Sequence, residues 1–183
     1  ADAWISDNTD LTDIAKTEFV GYTDMACDGA KVLAIITDDM IANEVSEGEF
    51  TLVLDKTPFY GEGGGQVGDT GTIYAEGFMA TVYDTKKTDG VFVHVCTIAS
   101  GEVKVGDTVC ADINDARRDS ICRNHSAAHL LQAALRSVLG NHVEQAGSYV
   151  NEEICRFDFT HFAALTSDEI AAVESLVNAN ILV

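Results

Sequence analysis

The sequence predicts an α+β fold, in which an antiparallel β sandwich or barrel precedes a region of mixed helices and strands. Three observations predict it. Between residues 17 and 112, turn signals recur about every ten residues. The segments between them are short and rich in β-branched and aromatic residues. From about residue 113 the apolar spacing becomes helical.

The turn signals are Asp28-Gly29, Glu47-Gly48, Asp69-Thr70-Gly71, Glu76-Gly77, Asp89-Gly90, Ser100-Gly101 and Gly106-Asp107. They bound the strand candidates "KVLAIIT", "EFTLVLD", "GTIYA", "FMATVYD", "GVFVHVC" and "DTVCADI". Short strands at even spacing with Gly/Asp turns belong to antiparallel sandwiches and barrels. Beyond them, Ala127, Leu131, Ala134, Leu135 and Val138 recur at helical spacing and predict a helix over Asn124–Leu139, with Gly140 as its C-cap. "HVEQAGSYV" and "ICRFDF" read as a strand pair around Asn151-Glu152-Glu153. Thr166-Ser167-Asp168-Glu169 is a capping box opening a last helix in which Ile170, Val173 and Val177 share a face. The expected organisation is a linker over residues 1–16, a β domain over 17–112 and an α+β portion over 113–183. There is no internal repeat and no low-complexity segment.

Composition narrows the function. The chain has 183 residues, 46% hydrophobic and 22% charged, an ordinary globular balance. No apolar run approaches the roughly 20 residues that span a bilayer. The start, "ADAWISDNTD", lacks the basic and apolar parts of a signal peptide, so the expectation is a cytoplasmic protein without a membrane partner. The five cysteines, Cys27, Cys96, Cys110, Cys122 and Cys155, are scattered and read as reduced, mostly buried thiols. A formal charge of −19 repels phosphate backbones and argues against nucleic-acid binding by the surface as a whole. Arg117, Arg118, Arg123 and Arg136 form the one local basic cluster; pairing with Asp115 and Asp119 is the alternative use for them.

Two stretches carry candidate chemistry. In "RNHSAAHLLQAAL", His125, His129, Gln132 and Arg136 fall on one narrow helical stripe, opposite Leu131, Ala134, Leu135 and Val138. Two imidazoles at i and i+4 can point at one ion and supply half of a tetrahedral zinc site. Cys122, His142, Cys155, His161 and His94 are the other candidate ligands, and none has a partner at ligand spacing. The sequence therefore contains half a site. In "TPFYGEGGGQVGDTG", Gly63, Gly64 and Gly65 precede Gln66. The run matches neither a Walker A loop nor the dinucleotide fingerprint. It reads as a tight strand connection or as a backbone platform for a ligand.

Taken in order and spacing, "TPFYGEGGGQVGDTG", "RNHSAAHLLQAALRSVLGNHVEQAGS" and "RFDFTHF" resemble the middle part of the alanyl-tRNA synthetases. Small free-standing proteins that deacylate mischarged alanine-specific tRNA carry related motifs. The resemblance implies a β-barrel, similar to the second domain of elongation factors, followed by an α+β editing domain that hydrolyses tRNA(Ala) wrongly charged with serine or glycine. It implies zinc (Zn2+) ligation by His125 and His129, a catalytic role for Gln145 in the editing pocket, and a substrate-side role for Gly63, Gly64, Gly65 and Gln66. It also implies a partner in the tRNA(Ala) acceptor end and in the remaining domains of the enzyme, where ATP and Mg2+ serve the attachment of alanine in protein biosynthesis. The family's remaining zinc ligands come from a later Cys-x-x-x-His, which does not follow Gln145 here; a fragment cut inside the editing domain is expected, with little activity by itself. A free-standing trans-editing hydrolase and a non-catalytic barrel that docks tRNA or protein are the competing expectations. Ala128 stands where the family usually has threonine, Gly63 where serine is frequent and Ala146 where lysine is frequent.

Overall fold

The computed structural model describes residue 11, residues 13–38 and residues 40–181. Residues 1–10 and 12, most of the stretch read as a linker, residue 39 and residues 182–183 lie outside the described residues. The chain forms two compact units. One runs to Gly63 and resumes over Val67–Asp115; the other comprises Gly64–Gln66 and the chain from Ala116 onward.

The first unit holds β1 (Glu18–Phe19), β2 (Ala26–Thr37), β3 (Met40–Ala42), β4 (Glu44–Val45), β5 (Glu49–Leu54), β6 (Lys56–Thr57), β7 (Gly71–Ala75), β8 (Phe78–Thr88), β9 (Val91–Ser100), β10 (Val103–Lys104) and β11 (Thr108–Ile113). All six strand candidates fall on strands. Six strands close into an antiparallel barrel in the order β11-β7-β8-β9-β5-β2, with β11 pairing back onto β2. Strand β2 makes the seam. Its first half, Ala26–Lys31, pairs with β11, and Val32–Ile36 pairs with β5. Closure replaces the two open edges of a sheet with one more hydrogen-bonded ladder.

The barrel interior follows the period of two. On β5, Phe50, Leu52 and Leu54 join Ile35, Phe59, Ile73 and Val82 in the main core. Val53, on the other face, packs with Ala34, Val91 and Val93, and Leu11 and Ile14 cover that outer cluster. Thr17 pins this covering segment, since its hydroxyl donates to the Leu54 carbonyl at 2.9 Å and accepts the Phe92 N–H at 3.1 Å.

His94, one of the candidate ligands, is a core residue. Its Nδ1 lies 2.9 Å from the Leu52 carbonyl, which can only accept, so Nδ1 carries the proton. Nε2 then accepts the Thr57 hydroxyl at 2.8 Å. Both ring nitrogens are satisfied and the ring is fully buried, so His94 has no lone pair to offer a metal.

The second unit contains α1 (Asp115–Leu139), β12 (Gln145–Val150), β13 (Cys155–Phe159) and α2 (Ser167–Ile181). Helix α1 begins at Asp115 rather than Asn124. Its first turns present only Arg118 and Ile121 to the interior, too few to register as an apolar stripe, while an acidic residue in the first turn favours the start. Gly140, with φ of 114° and its N–H on the Arg136 carbonyl, ends it. Ala134, Leu135, Val143 and Val173 form the core, with Leu131, Val138, Phe157, Phe159 and Val177 around them. The capping box is made in both directions, and the Thr166 N–H and hydroxyl hold the Glu169 carboxyl below its usual range. Ile170 differs from expectation: it is mostly exposed, while Val173 and Val177 face the core. Arg117 pairs with Glu152 at 3.0 Å and Arg123 donates to the Ser120 hydroxyl. The five cysteines are free thiols; Cys27 and Cys96 are buried, Cys110 and Cys155 half-buried, and Cys122 is exposed. Among the described residues no helix is long and apolar enough to cross a membrane.

The His94 environment sets a pH dependence. Burial lowers its pKa from 6.5 to about 4, so the unfolded chain binds a proton that the fold excludes. This contribution to stability is complete above the unfolded pKa and is lost as pH falls from about 6.5 toward 4, by an amount on the order of 3 kcal/mol. Urea unfolding at several pH values across that window should show a shallower fall for His94→Gln than for the wild type.

Candidate active site: a histidine–glutamine cleft

The sequence-predicted residues of the second unit converge on one small cleft. Gly64, His125, His129, Gln132, Gln145 and Ser148 line it, over Ala128, Val150 and Phe157. Its volume is about 60 Å³. A larger open groove, about 660 Å³, lies over β7, β8 and β11 of the barrel. Its polar groups are Thr70, Thr72, Tyr74, Thr81, Tyr83, Asp112 and Asn114, and the Asp112 carboxylate already accepts the Tyr74 hydroxyl at 3.1 Å. The smaller cleft is the one that brings two imidazoles together.

Helix α1 presents the two histidines one turn apart, with ring centroids 5.1 Å apart and an interplanar angle of 28°. With metal–nitrogen bonds of about 2.0–2.1 Å and a tetrahedral angle between them, two imidazole centroids fall roughly 5 Å apart on one zinc ion. The ring separation of the pair is therefore that of two ligands on one zinc ion. His125 is half-buried and its Nδ1 lies 2.6 Å from the Gln66 Oε1, whereas His129 is exposed. The two do not share the fully exposed face that the polar stripe suggests. Among the described residues no group of three His, Cys, Asp or Glu side chains could hold a metal ion. His142 and His161 are occupied with each other, Nε2 to Nδ1 at 2.9 Å, with Phe162 stacked on His142.

The glycine run splits. Gly63 belongs to the barrel unit, where its carbonyl accepts the Tyr60 hydroxyl at 3.1 Å. Gly64, Gly65 and Gln66 belong to the second unit. The Val150 N–H donates to the Gly65 carbonyl at 2.7 Å, and Gln66 forms a parallel bridge with Val150. Gly65 has φ of 82°, and a Cβ there would stand 2.2 Å from the Ser148 Oγ and 2.6 Å from the Ser148 carbonyl oxygen. The run exists so that two backbones can touch.

Gln145 is on β12, exposed, and donates through Nε2 to the Ser148 Oγ at 3.1 Å. The Ser148 hydroxyl also donates to the Gly64 carbonyl at 3.4 Å. Ser148 is the residue that sequence reasoning missed. Residues three apart on a regular strand face opposite sides, but a bulge between Gln145 and Gly147 inserts one residue and turns both toward the cleft. The motif "QAGS", with a glycine inside a strand, was the available signal. Ala128, next to His129 in sequence, contributes only a methyl group to the cleft wall.

Residues 3–117 match the family described as tRNA synthetases class II (A). The chain belongs to that family. An alanine–tRNA ligase from Acetivibrio thermocellus is 50% identical over 183 positions, covering 98% of this chain and 21% of that protein. Another, from Alkaliphilus oremlandii, is 49% identical over 169 positions, 91% of this chain and 19% of the ligase. The chain thus spans about one fifth of the length of these class II synthetases, and the match to them runs through the histidine helix and the cleft.

The local geometry separates four substitutions. Gly65→Ala combines a positive φ with a backbone clash and should destabilise the chain by more than about 2 kcal/mol, whereas Gly64→Ala, in open space at φ of 60°, should cost about 1 kcal/mol. His125→Ala strands the buried Gln66 oxygen and should cost on the order of 1–2 kcal/mol, against under about 0.5 kcal/mol for His129→Ala. Chemical denaturation of the four variants measures these differences.

Proposed function

We propose that this chain is the barrel and the first part of the editing domain of an alanyl-tRNA synthetase, and that the cleft on α1 receives the aminoacyl ester of mischarged tRNA(Ala). The observation that carries this reading is the convergence of His125, His129, Gln132 and Gln145 on one cleft walled by the Gly64 segment. The relatives' names, alanine–tRNA ligases, supply the tRNA. The small cleft suits the short side chains of serine and glycine.

The reaction is ester hydrolysis, in which water adds to the acyl carbon and the ribose oxygen leaves. His125 and His129 would hold zinc, which when bound supplies a Lewis acid for the amino acid's polar atoms or for water. Gln145, steadied by Ser148, presents an amide to the ester. Val150 and Phe157 exclude bulk water from the cleft floor and so strengthen those polar contacts. The methyl of Ala128 leaves selection of the side chain to the glutamines and to the Gly64 backbone. On a chain of charge −19, the exposed Arg123 and Arg136 of α1 are the cations placed to meet the acceptor-end phosphates. Use of ATP and Mg2+ for alanine attachment, and further domains that complete the zinc shell, belong to the remaining four-fifths of the ligase length. Cytoplasm is the compartment this function implies.

Deacylation of Ser-tRNA(Ala) and Gly-tRNA(Ala) by the synthetase that carries this segment tests the reading. His125→Ala and His129→Ala should each lower hydrolysis by more than about a hundredfold while alanine attachment stays within about twofold. Undiminished hydrolysis in both variants would sink it. The described residues of this chain alone supply two ligands, so with added zinc it should deacylate far more slowly than the synthetase.

A further inference from the structure

We propose that Gln66 is a positioning residue that fixes His125 in the tautomer able to bind metal through Nε2. The inference rests on reading His125 and His129 as a zinc pair and adds a residue that acts through one of them. A neutral imidazole carries one proton on two nitrogens, and a metal takes only the nitrogen that lacks it. Left in water, the ring exchanges between the two forms, and the other form cannot ligate through Nε2.

Gln66 removes that freedom. Its Oε1 lies 2.6 Å from the His125 Nδ1. An amide oxygen only accepts, so the proton sits on Nδ1 and the Nε2 lone pair faces away from Gln66. The bond is shorter than the usual N–H···O separation of about 2.9–3.0 Å. Gln66 is 7% exposed, which keeps water from competing for its oxygen. Its backbone is also held, by the bridge to Val150 and the Val150 N–H on the Gly65 carbonyl. The close approach that delivers it is possible because Gly65 has no Cβ to meet Ser148. Ligating histidines commonly donate their second N–H to a fixed oxygen in this way, which sets the ring orientation and raises the ligand's basicity.

An amide turned the other way would present Nε2–H to the ring. Nδ1 would then have to accept, Nε2 would carry the proton, and the ligand position would be blocked. The two arrangements predict opposite tautomers, and this makes the assignment measurable without any metal.

Two-bond proton–nitrogen correlation spectra of the metal-free, nitrogen-15-labelled chain at a pH of about 8, where imidazoles are neutral, read the tautomer directly. His125 should be in the Nδ1–H form in the wild type and a mixture of forms in Gln66→Leu. Titration with Zn2+ of the metal-stripped synthetase that carries this segment, where further ligands complete the shell, should give about tenfold to hundredfold weaker binding for Gln66→Leu. Gln66→Glu, whose carboxylate still accepts from Nδ1, should bind at least as tightly as the wild type. An Nε2–H form of His125 in the wild type overturns the inference, as does a Gln66→Leu protein that folds and binds Zn2+ like the wild type. If Gln66→Leu does not fold, the wild-type tautomer and the Gln66→Glu titration still decide. Failure of the zinc reading looks different: wild type and His125→Ala would then bind Zn2+ equally, whatever the tautomer.

Discussion

The backbone hydrogen bond from the Val150 N–H to the Gly65 carbonyl is the contact on which the candidate site depends. It ties the three-residue segment Gly64–Gln66 to the end of β12. Together with the Gln66–Val150 bridge, that attachment sets Gln66 against His125, puts Gly64 beside Ser148, and so builds one wall of the cleft. The constraint explains the glycines in physical terms. Gly64 and Gly65 both take positive φ, and a side chain on Gly65 would overlap the backbone of Ser148. The segment is a backbone-to-backbone junction, a use of consecutive glycines that differs from cradling a phosphate.

The five histidines illustrate how surroundings assign a role to one side chain. His94 has both nitrogens satisfied inside the barrel, and a ligand would have to break two buried hydrogen bonds to reach it. His142 and His161 satisfy each other. His125 has one nitrogen engaged by a shielded amide, and His129 lies one turn away at the separation two ligands of a single ion require. The last arrangement sets two imidazoles side by side at the cleft, which is why chemistry is proposed for the helix stripe and not for the buried ring.

The family assignment and the cleft geometry are separate supports. The class II (A) match covers residues 3–117, while the histidines and Gln145 lie beyond it. Near-full-length similarity to the two ligases carries the relationship across the second unit. The acidity of the chain then has a local meaning. With 30 acidic against 11 basic residues, the chain carries its one local cluster of arginines, Arg117, Arg118, Arg123 and Arg136, on α1, where Arg117 is paired with Glu152 and Arg118 is buried.

By itself the sequence determined whatever depends on neighbours within a few positions. Regularly spaced turn signals and the β-rich segments between them placed the six barrel strands, the Thr166–Glu169 capping box placed the start of α2, and helical spacing separated the core face of α1 from the stripe of His125 and His129. These follow from local backbone geometry, which the chain carries wherever it goes. The tertiary structure decided the rest. Barrel or sandwich turned on whether β11 paired back onto β2, a choice between sheets whose strands read alike. The start of α1 lay in turns with too little apolar surface to show a stripe. Ser148 joined Gln145 because a bulge reversed the alternation. Gln66 met His125 from 59 positions away, through a junction that only a glycine backbone could approach closely enough to make.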